Sequence, residues 1–459
     1  MISDNHIHDI GNVFSNAVGV WIGQSNGNLV SHNEIDNTYY SGISVGWTCG
    51  WGRTAARDNV IEFNQGGRTV PRKPRFPSAA FVVYHAAMRV RLASFFVLLF
   101  LLVGSSRSPG AQGPEFYIVD VGHGNAVFVQ SGTGQTMLID TGARRAANRV
   151  LAFLKQAGVK QIDYLLVSHF EDDHMGAAAA LAAEFPILNF VDHGESIVYG
   201  KSDEWWKQRR TPWARPGIGK AYDESYEAYR QVREKGKHII VRPGDKIPIE
   251  GMDVLVVSSG GKVISTPLKG AGAPNAACAR ADRRSEDDAE DGQSIGVLVT
   301  FGKFRFVDLG DLTWNAANAL FCPRNLVGTV DAYVITHHAQ SLPQSLGDYY
   351  YGLSCCSEAE VHGLQPRVAF LSLGALGHKE GTPAAIEVVR NSPGREDVWQ
   401  TENITAGGEA GHNAPEQFIA NLGAKSAQTP FVKLSANSDG SFTVNNSRNQ
   451  YAKKCGPRK

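Results

Sequence analysis

Short apolar runs recur along the chain from about residue 115 onward, and most of them stop at a polar residue or a glycine turn. Runs of this length bounded by turn residues are typical of β-strands. Several end beside a side chain that can coordinate a cation: 137–139 before Asp140, 162–167 before His169, 187–191 before His193, 304–307 before Asp311, and 330–335 before the pair 337–338. Because strand ends meet at one face only when the fold brings them together, this ordered set predicts a shared site at a sheet edge.

The segment 168–174 is the most informative of these strand ends. Its sequence, Ser-His-Phe-Glu-Asp-Asp-His, places His169, Glu171 and Asp173 at alternating positions and closes with His174. Imidazole and carboxylate groups are ligands of Zn²⁺ and other divalent cations. The loop therefore predicts metal binding, and the alternative interpretation is an ordinary polar loop after a strand.

Residues 114–449 resemble a metallo-β-lactamase-fold hydrolase, of the branch that includes the hydrolase domain of ComEC-type DNA-uptake proteins. The resemblance rests, in chain order, on the opening strand and glycine turn 116–126, on the motif 138–142 around Asp140, on Gly310-Asp311, and on His337-His338. It implies an α/β fold of four αββα layers, in which two mixed sheets are covered by helices on both outer sides. The site would lie along one edge of the sheets.

The resemblance implies two metal sites that share one carboxylate. The second site would be held by Asp173, His174 and one of His337 or His338, and Asp311 would bridge the two metals. Asp173 would also orient the attacking water and Asp311 would receive its proton, so both are candidate catalytic residues. Which histidine of the pair faces the metal stays open, with His337 slightly favoured.

The first of the two implied sites departs from the family pattern. It would be held by His169, residue 171 and His193, while Asp140 would orient the metal loop without binding. The family usually has a histidine where Glu171 stands, and a carboxylate there lowers the Lewis acidity of the bound cation. We expect one or two Zn²⁺, with Mn²⁺ as an alternative because of Glu171. Three outcomes stay open: two metals with a harder ligand set, a single metal at the second site, or a site that only binds.

Hydrolysis by a metal-bound hydroxide is the chemistry that such a site supports. The resemblance suggests a phosphodiester or related ester, so we expect a small-molecule or phosphodiester substrate. Nucleic acid is a weaker expectation, because the chain has 45 basic and 45 acidic residues and a pI near 7.2, without a global electrostatic footprint for DNA. The alternatives are a binding module that has lost catalysis, and a carbohydrate-binding β-helix protein.

Two charged segments inside the hydrolase region have competing interpretations. The stretch 204–215 interleaves tryptophans with lysine and arginines. It predicts an amphipathic helix that packs on the core, with base or sugar stacking, or a lid over the site, as alternatives. The mixed-charge stretch 281–291 predicts a solvated loop.

The chain before residue 114 divides into segments with different patterns. Residues 1–65 repeat short strands punctuated by Asn and Gly, and they resemble a fragment of a right-handed parallel β-helix. Residues 66–87 predict a disordered basic linker. Residues 88–113 have signal-peptide architecture, with a basic start at Met88 and a short apolar core. We therefore expect a secreted or periplasmic protein, and alternatively a membrane anchor if the segment 88–104 stays uncleaved.

Cysteines and the chain end complete the predictions. None of the six cysteines has metal-finger spacing. For an exported protein, Cys278 and Cys322 are expected to form a disulfide. Adjacent cysteines rarely bridge each other without strain, so one of Cys355 and Cys356 is expected to pair with Cys455. Residues 450–459 predict a basic tail.

Overall fold

A computed structural model describes residues 113–458 apart from 211–215, 286–287, 347, 374–380, 405–411 and 424–427, and it describes eight short strands before residue 113. The chain divides into two compact units, 1–103 and 104–459. Except for Gly66 and Gly113, the predicted linker 66–87 and the predicted signal segment 88–113 lie outside the described residues. Within the described part of the chain, no helix is long and apolar enough to cross a membrane.

The described part of the first unit contains eight short strands, and each pairs with a strand that is not its neighbour in the sequence. They are β1 (Ile2–Ser3), β2 (His6–Ile7), β3 (Val18–Ile22), β4 (Leu29–Ser31), β5 (Glu34–Ile35), β6 (Ser41–Val45), β7 (Val60–Glu62) and β8 (Gln65–Gly66). Three sets form, β1-β4-β7, β2-β5-β8 and β3-β6, and every pairing in them is parallel. Parallel stacking of successive segments is what a coil repeat produces. The parallel β-helix itself stays a prediction.

The second unit contains the remaining strands and the described helices. The strands are β9 (Glu115–Val119), β10 (Val127–Gln130), β11 (Thr136–Ile139), β12 (Ile162–Leu166), β13 (Ile187–Asp192), β14 (Lys237–Ile240), β15 (Lys246–Ile247), β16 (Asp253–Ser259), β17 (Lys262–Val263), β18 (Gly296–Phe301), β19 (Phe304–Asp308), β20 (Ala332–Val334), β21 (Val368–Leu371), β22 (Asp397–Glu402), β23 (Ile419–Asn421), β24 (Phe431–Ala436), β25 (Phe442–Asn446) and β26 (Ala452–Cys455). The helices are α1 (Ala147–Gln156), α2 (Asp172–Met175), α3 (Ala178–Glu184), α4 (Asp203–Arg210), α5 (Ile218–Arg233), α6 (Trp314–Phe321), α7 (Asp348–Leu353), α8 (Glu358–Leu364) and α9 (Pro383–Arg390).

These strands form two large mixed sheets. The first has the order β14-β13-β12-β11-β10-β9-β24-β25-β26, and the second has the order β15-β16-β18-β19-β20-β21-β22-β23, with β17 paired to β16. In the first sheet β11 to β14 run parallel, and in the second β19 to β23 do. Parallel strands end at the same edge of their sheet, so the segments that follow them are brought side by side.

The inner faces of the two sheets pack against each other in one apolar core. Phe116 of the first sheet stacks on Phe306 of the second with ring centroids 4.4 Å apart. Residues of β24 alternate between buried and half-buried positions, so one face of this strand lies in the core between the sheets. Separate apolar clusters lie on the outer faces, one holding Phe153 of α1 and the other holding Leu320 of α6. The predicted four-layer αββα sandwich is confirmed.

The structure supports one interpretation of the tryptophan-rich stretch. Residues 203–210 form α4, and Trp206 is buried against Tyr222 of α5 with ring centroids 5.2 Å apart. A helix whose tryptophan packs on the core is what the amphipathic interpretation predicts. The rest of the stretch, 211–215, lies outside the described residues.

Three sequence expectations are wrong. Residues 452–455 are not a tail but the edge strand β26, which includes the adjacent residues Lys453 and Lys454. The stretch 281–291 is not a solvated loop at its end, because Glu290 and Asp291 are buried. Cys455 is free and buried, and it does not pair with the vicinal cysteines.

The disulfides explain the last of these corrections. The predicted Cys278–Cys322 bond is present, with an S–S distance of 2.14 Å. Cys355 and Cys356 bridge each other. They pack in the apolar cluster between the second sheet and its helices, whereas Cys455 packs in the core between the sheets. The second sheet therefore separates Cys455 from the vicinal pair.

Candidate metal centre

The metal loop is held in place by a buried carboxylate at the end of β11. Asp140 accepts hydrogen bonds from the Ser168 backbone N at 2.7 Å and from Ser168 Oγ at 2.9 Å. The same carboxylate lies 2.7 Å from His174 Nδ1. Because an ionised carboxylate can only accept, Nδ1 of His174 carries the proton and its Nε2 offers a lone pair. Asp140 thus orients His174, and its role as a residue that positions the metal loop without binding metal stays a prediction.

A glycine turn after β9 supports the loop from the other side. The backbone N of Asn125 donates to the Asp173 carbonyl at 3.2 Å. Gly124 has a φ of +93°, and a Cβ there would lie 1.8 Å from the Asp173 carbonyl oxygen. Only glycine combines that conformation with so close an approach. The turn also places His123 Nε2 at 3.5 Å from Asp173 Oδ2.

Four potential ligands from both sheets converge beside this loop. Asp173, His174, Asp311 and His338 each offer one ligand atom, and these atoms lie within 4.8 Å of one another. We call them the histidine-rich group. His174 Nε2 lies 3.2 Å from Asp311 Oδ2 and 3.2 Å from His338 Nε2. The Nδ1 of His338 lies 3.3 Å from the carbonyl oxygen of Ser372, so its proton is on that side and its Nε2 also offers a lone pair.

A second set of potential ligands shares Asp311 with the first. His169, Asp291 and Asp311 offer atoms that again lie within 4.8 Å of one another. We call them the carboxylate-rich group. His169 Nε2 is 3.6 Å from Asp291 Oδ1. Ser168 Oγ gives its hydrogen to Asp140 and lies 3.0 Å from His169 Nδ1, so it accepts from that nitrogen and leaves Nε2 with a lone pair.

The electrostatics of the buried groups favour a bound cation. Burial opposes charge on His174, yet Asp311 and Asp140 hold its pKa well above the usual value, so a cation bound at Nε2 would replace a proton there. Burial likewise opposes ionisation of Asp311, yet His174 and His338 hold the pKa of that carboxyl well below its usual range. Burial and the nearby His174 hold the pKa of His169 well below normal, which keeps that imidazole neutral. Ionised carboxylates and a neutral imidazole are the forms that bind metals.

Two observations show that these residues fit divalent cations. Within the described part of the chain, the buried Nε2 of His169 has no hydrogen-bond partner. In the histidine-rich group, the Nε2 atoms of His174 and His338 and the carboxylates of Asp173 and Asp311 face one another. A buried polar atom without a partner is costly, and so is a cluster of buried carboxylates without a cation. A cation at each group would satisfy both sets.

Not every predicted ligand reaches the two groups. Glu171 lies outside both, where it begins α2 and its carbonyl accepts from the backbone N of His174 and Met175. His193 also lies outside them, with its Nε2 at 3.1 Å from Glu290 Oε2. His337 Nε2 is 3.6 Å from Asp311 Oδ2 but does not belong to the compact group. The geometry therefore favours His338 over His337.

Asp291 and Glu290 are the residues that sequence reasoning missed. Asp291 belongs to a 3-10 turn just before β18, and the pairing of Val297 with Asp308 brings this turn beside the end of β19. Glu290 accepts hydrogen bonds from Ser196 Oγ at 2.7 Å and from the Ile197 backbone N at 2.8 Å. Through Glu290, the loop after β13 holds the Asp291 turn in position. The sequence signal was the Asp291-Gly292 pair, which is typical of a turn and does not by itself indicate a ligand.

Comparisons with known proteins agree with this architecture. The family model described as metallo-beta-lactamase superfamily matches residues 119–273. No protein with a curated description matches the chain.

Several solved structures are similar to the chain at low identity. The metallo-beta-lactamase fold protein YhfI from Bacillus subtilis is 11% identical, over 63% of this chain and 97% of that one, with a TM-score of 0.34. MEM-A1, a subclass B3 metallo-beta-lactamase from a soil metagenome library, is 14% identical over 61% and 81%, with a TM-score of 0.31. CmlA, a diiron beta-hydroxylase from Streptomyces venezuelae, is 17% identical over 56% and 44%, with a TM-score of 0.32.

The residues that the family model matches occupy a fold of the kind that the resemblance implies. The matched residues 119–273 include the glycine turn, Asp140, the metal loop and His193. The two large sheets and the site at their common edge supply the expected setting. Residues 119–273 therefore resemble the metallo-beta-lactamase superfamily.

Proposed function

We propose that this protein is a metal-dependent hydrolase that cleaves a phosphodiester or a related ester. The observation that carries the proposal is the pair of ligand groups that share Asp311. Paired cations in such sites are typically about 3.5 to 4 Å apart and stabilise both the attacking and the leaving oxygen of an in-line displacement. That pairing suits phosphodiester cleavage.

Bound cations would supply Lewis acidity and lower the pKa of a coordinated water toward about 7. The chain's own residues would position the reactants. Asp173 lies between His123, at 3.5 Å, and His338, at 3.6 Å, so its carboxylate is placed to orient a water at the rim. Asp311, between the two groups, is placed to accept a proton from it. His174 is held in its orientation by Asp140.

The ligand chemistry of the two groups suggests different metals. The histidine-rich group combines two imidazoles with two carboxylates, a set that suits Zn²⁺. The carboxylate-rich group has one imidazole and two carboxylates, which is harder and suits Mn²⁺ as well as Zn²⁺. In this proposal the hard character of the second group comes from Asp291, whereas the sequence pattern suggested Glu171.

Export is part of the proposal. The described residues contain two disulfides, Cys278–Cys322 and Cys355–Cys356. Disulfides persist in oxidising compartments and are rare in the cytosol. They support the secreted or periplasmic location that the segment 88–113 suggests.

The test uses the full chain with bis(p-nitrophenyl) phosphate, p-nitrophenyl acetate and a β-lactam as substrates. The protein is stripped with a chelator and reloaded with Zn²⁺, Mn²⁺ or both. We expect phosphodiester hydrolysis to disappear on stripping and to return on reloading, and to be the fastest of the three reactions. Reloaded protein that binds metal but hydrolyses none of the substrates would support the binding-module alternative instead.

A further inference from the structure

The loop that carries His338, residues 336–340, has an unusual backbone. His337, His338 and Ala339 follow one another with φ values of +48°, +49° and +57°. Residues other than glycine rarely adopt this left-handed region, and they persist there only where the surrounding structure holds them. The position of His338 in the histidine-rich group therefore depends on what the loop packs against.

The segment 353–356, which we call the clasp, contacts this loop at both of its ends and at the histidine pair. The contacts join His337 Nδ1 to the Leu353 carbonyl oxygen at 2.9 Å, the Cys355 backbone N to the Gln340 carbonyl oxygen at 2.9 Å, and Cys356 Sγ to the Thr336 carbonyl oxygen at 3.5 Å. The clasp therefore supports the loop along its whole length.

A disulfide between Cys355 and Cys356 closes the clasp. Because the two cysteines are adjacent, the bond completes a small ring that contains the peptide between them, and this ring restricts the backbone of the clasp. Cys356 has a φ of +64°, and its backbone N donates to Glu360 Oε2 at 3.1 Å. The other oxygen of this buried carboxylate accepts from Thr336 Oγ1 at 2.6 Å. The clasp and the loop are therefore fixed to the same side chain.

Opening the disulfide would remove this restraint. Once the S–S bond is broken, no covalent ring holds Cys356 in the left-handed region, which residues other than glycine rarely adopt. The clasp can then relax toward ordinary backbone conformations and give up its contacts with the loop. The three loop residues of positive φ lose that support at the same time, so His338 is no longer held beside His174 and Asp311.

A dithiol is the reductant that this chemistry requires. One of its thiolates attacks a sulfur of the disulfide and forms a mixed disulfide, which the second thiolate resolves. The bond between Cys355 and Cys356 breaks, the two sulfurs take up two electrons and two protons, and the dithiol is oxidised to its own disulfide. Cys356 borders a cavity of about 250 Å³ whose wall also includes the exposed Arg280, and this gives the reductant a route to the bond.

We propose that the Cys355–Cys356 disulfide is a redox modification site that controls the metal centre. In the oxidised protein the clasp holds His338 in the histidine-rich group, and reduction by a dithiol releases the clasp and weakens cation binding there. The inference rests on the metal centre of the proposed function but not on the reaction that this centre catalyses.

The test compares the Zn²⁺ affinity of the full chain in its two redox states. Protein reduced with dithiothreitol is separated from the reductant by anaerobic gel filtration, because the reductant itself binds Zn²⁺, and alkylation with peptide mapping identifies the opened bonds. Competition with a chromogenic chelator gives the affinity. We expect reduction to weaken the tighter Zn²⁺ site at least about tenfold and reoxidation to restore it. In metal-free protein, reduction should also speed amide hydrogen exchange in residues 336–340.

Two double variants identify the disulfide that acts. Cys355→Ser with Cys356→Ser should bind Zn²⁺ as weakly as the reduced wild type and should not respond to the reductant. Cys278→Ser with Cys322→Ser is the matched control, which removes the other disulfide and should still lose affinity on reduction. Circular dichroism checks that each variant folds, and the reversible cycle of the wild type decides the question if one of them does not.

Several outcomes would overturn the proposal. They are a Cys355–Cys356 bond that native protein does not open to the dithiol, an unchanged Zn²⁺ affinity once the bond is open, and an affinity loss that still follows reduction in the Cys355→Ser, Cys356→Ser variant. Failure of the hydrolase proposal is distinguishable from these results. A protein whose Zn²⁺ affinity follows the redox state but which hydrolyses no substrate would keep this inference and reject that function.

Discussion

The two ligand groups of the metal centre share Asp311 but differ in the atoms they offer. The histidine-rich group has two imidazoles whose protons are fixed by Asp140 and by the Ser372 carbonyl. The carboxylate-rich group has one imidazole, that of His169, and two carboxylates. Neutral nitrogen donors suit Zn²⁺, whereas oxygen donors suit harder cations. In the proposed metal centre, one bridging carboxylate would therefore serve two cations of unequal affinity.

Removing the shared ligand should have the largest effect. In Asp311→Asn an amide replaces the carboxylate that both groups use. We expect both metals to be lost and hydrolysis to fall by roughly a thousandfold or more, since metal-ion catalysis supplies several kcal/mol. Elemental analysis after gel filtration, together with phosphodiesterase assays, measures both. Retention of two metals in this variant would show that the groups are independent.

The histidine pair tests the histidine-rich group alone. His338→Ala removes a ligand and should weaken the tighter Zn²⁺ site by more than about a hundredfold, because even an outer partner of a ligand is worth roughly 10- to 100-fold. His337→Ala is the matched control and should cost at most about tenfold. Competition with a chromogenic chelator gives both affinities. Equal losses, or a larger loss for His337, would reverse the assignment of the ligand.

The carboxylate-rich group is tested by another matched pair. Asp291→Ala should leave one bound metal and reduce hydrolysis by roughly a hundredfold, because the second cation is lost while the first remains. Glu171→Ala should keep both metals, since Glu171 lies outside the groups. Electron paramagnetic resonance of Mn²⁺-loaded protein reports the loss without relying on activity. Loss of a metal in Glu171→Ala together with its retention in Asp291→Ala would instead support the ligand set that the family resemblance implies.

The supporting carboxylate should have the smallest effect. Asp140→Asn replaces a group that accepts four hydrogen bonds with an amide that cannot accept all of them. We expect metal affinity to fall by roughly 10- to 100-fold with the ligands still in place. The histidine-rich group should lose more than the carboxylate-rich group, because His174 belongs to the former. The two affinities can be measured by the same chelator competition, and an equal loss would contradict the role given to Asp140.

The site residues that the first sheet contributes could be predicted, because they follow uninterrupted apolar runs in the sequence. Asp140 stands directly after β11, and the metal loop 168–174 begins two residues after the end of β12. Parallel strands end at one edge of the sheet whatever the details of packing. Local sequence therefore contains enough information to bring them together. The same logic located Asp311 after β19.

Asp291 could not be found in this way because it precedes its strand. It reaches the site only through the antiparallel pairing of β18 with β19, in which Val297 lies opposite Asp308. Register between strands is a tertiary property, and a charged stretch of sequence gives no sign of it. Glu171 shows the converse, since its spacing suggests a ligand but its position begins α2 outside both groups.

The pairing of the cysteines could be predicted only in part, for a related reason. Cys278 and Cys322 flank a long insertion, and their pairing follows from the expected export of the protein. For Cys455, chemistry alone suggested a partner among the vicinal cysteines, but the second sheet lies between them. Which side of a sheet a residue occupies depends on the whole topology.

Anomalous diffraction from crystals loaded with Zn²⁺ and Mn²⁺ tests the central claim most directly. Data collected at the absorption edge of each metal should show two peaks, roughly 3.5 to 4 Å apart, with Asp311 in contact with both. Zn²⁺ should occupy the histidine-rich group and Asp291 should contact the other cation. A single peak, or a second cation held by Glu171 and His193, would contradict the account.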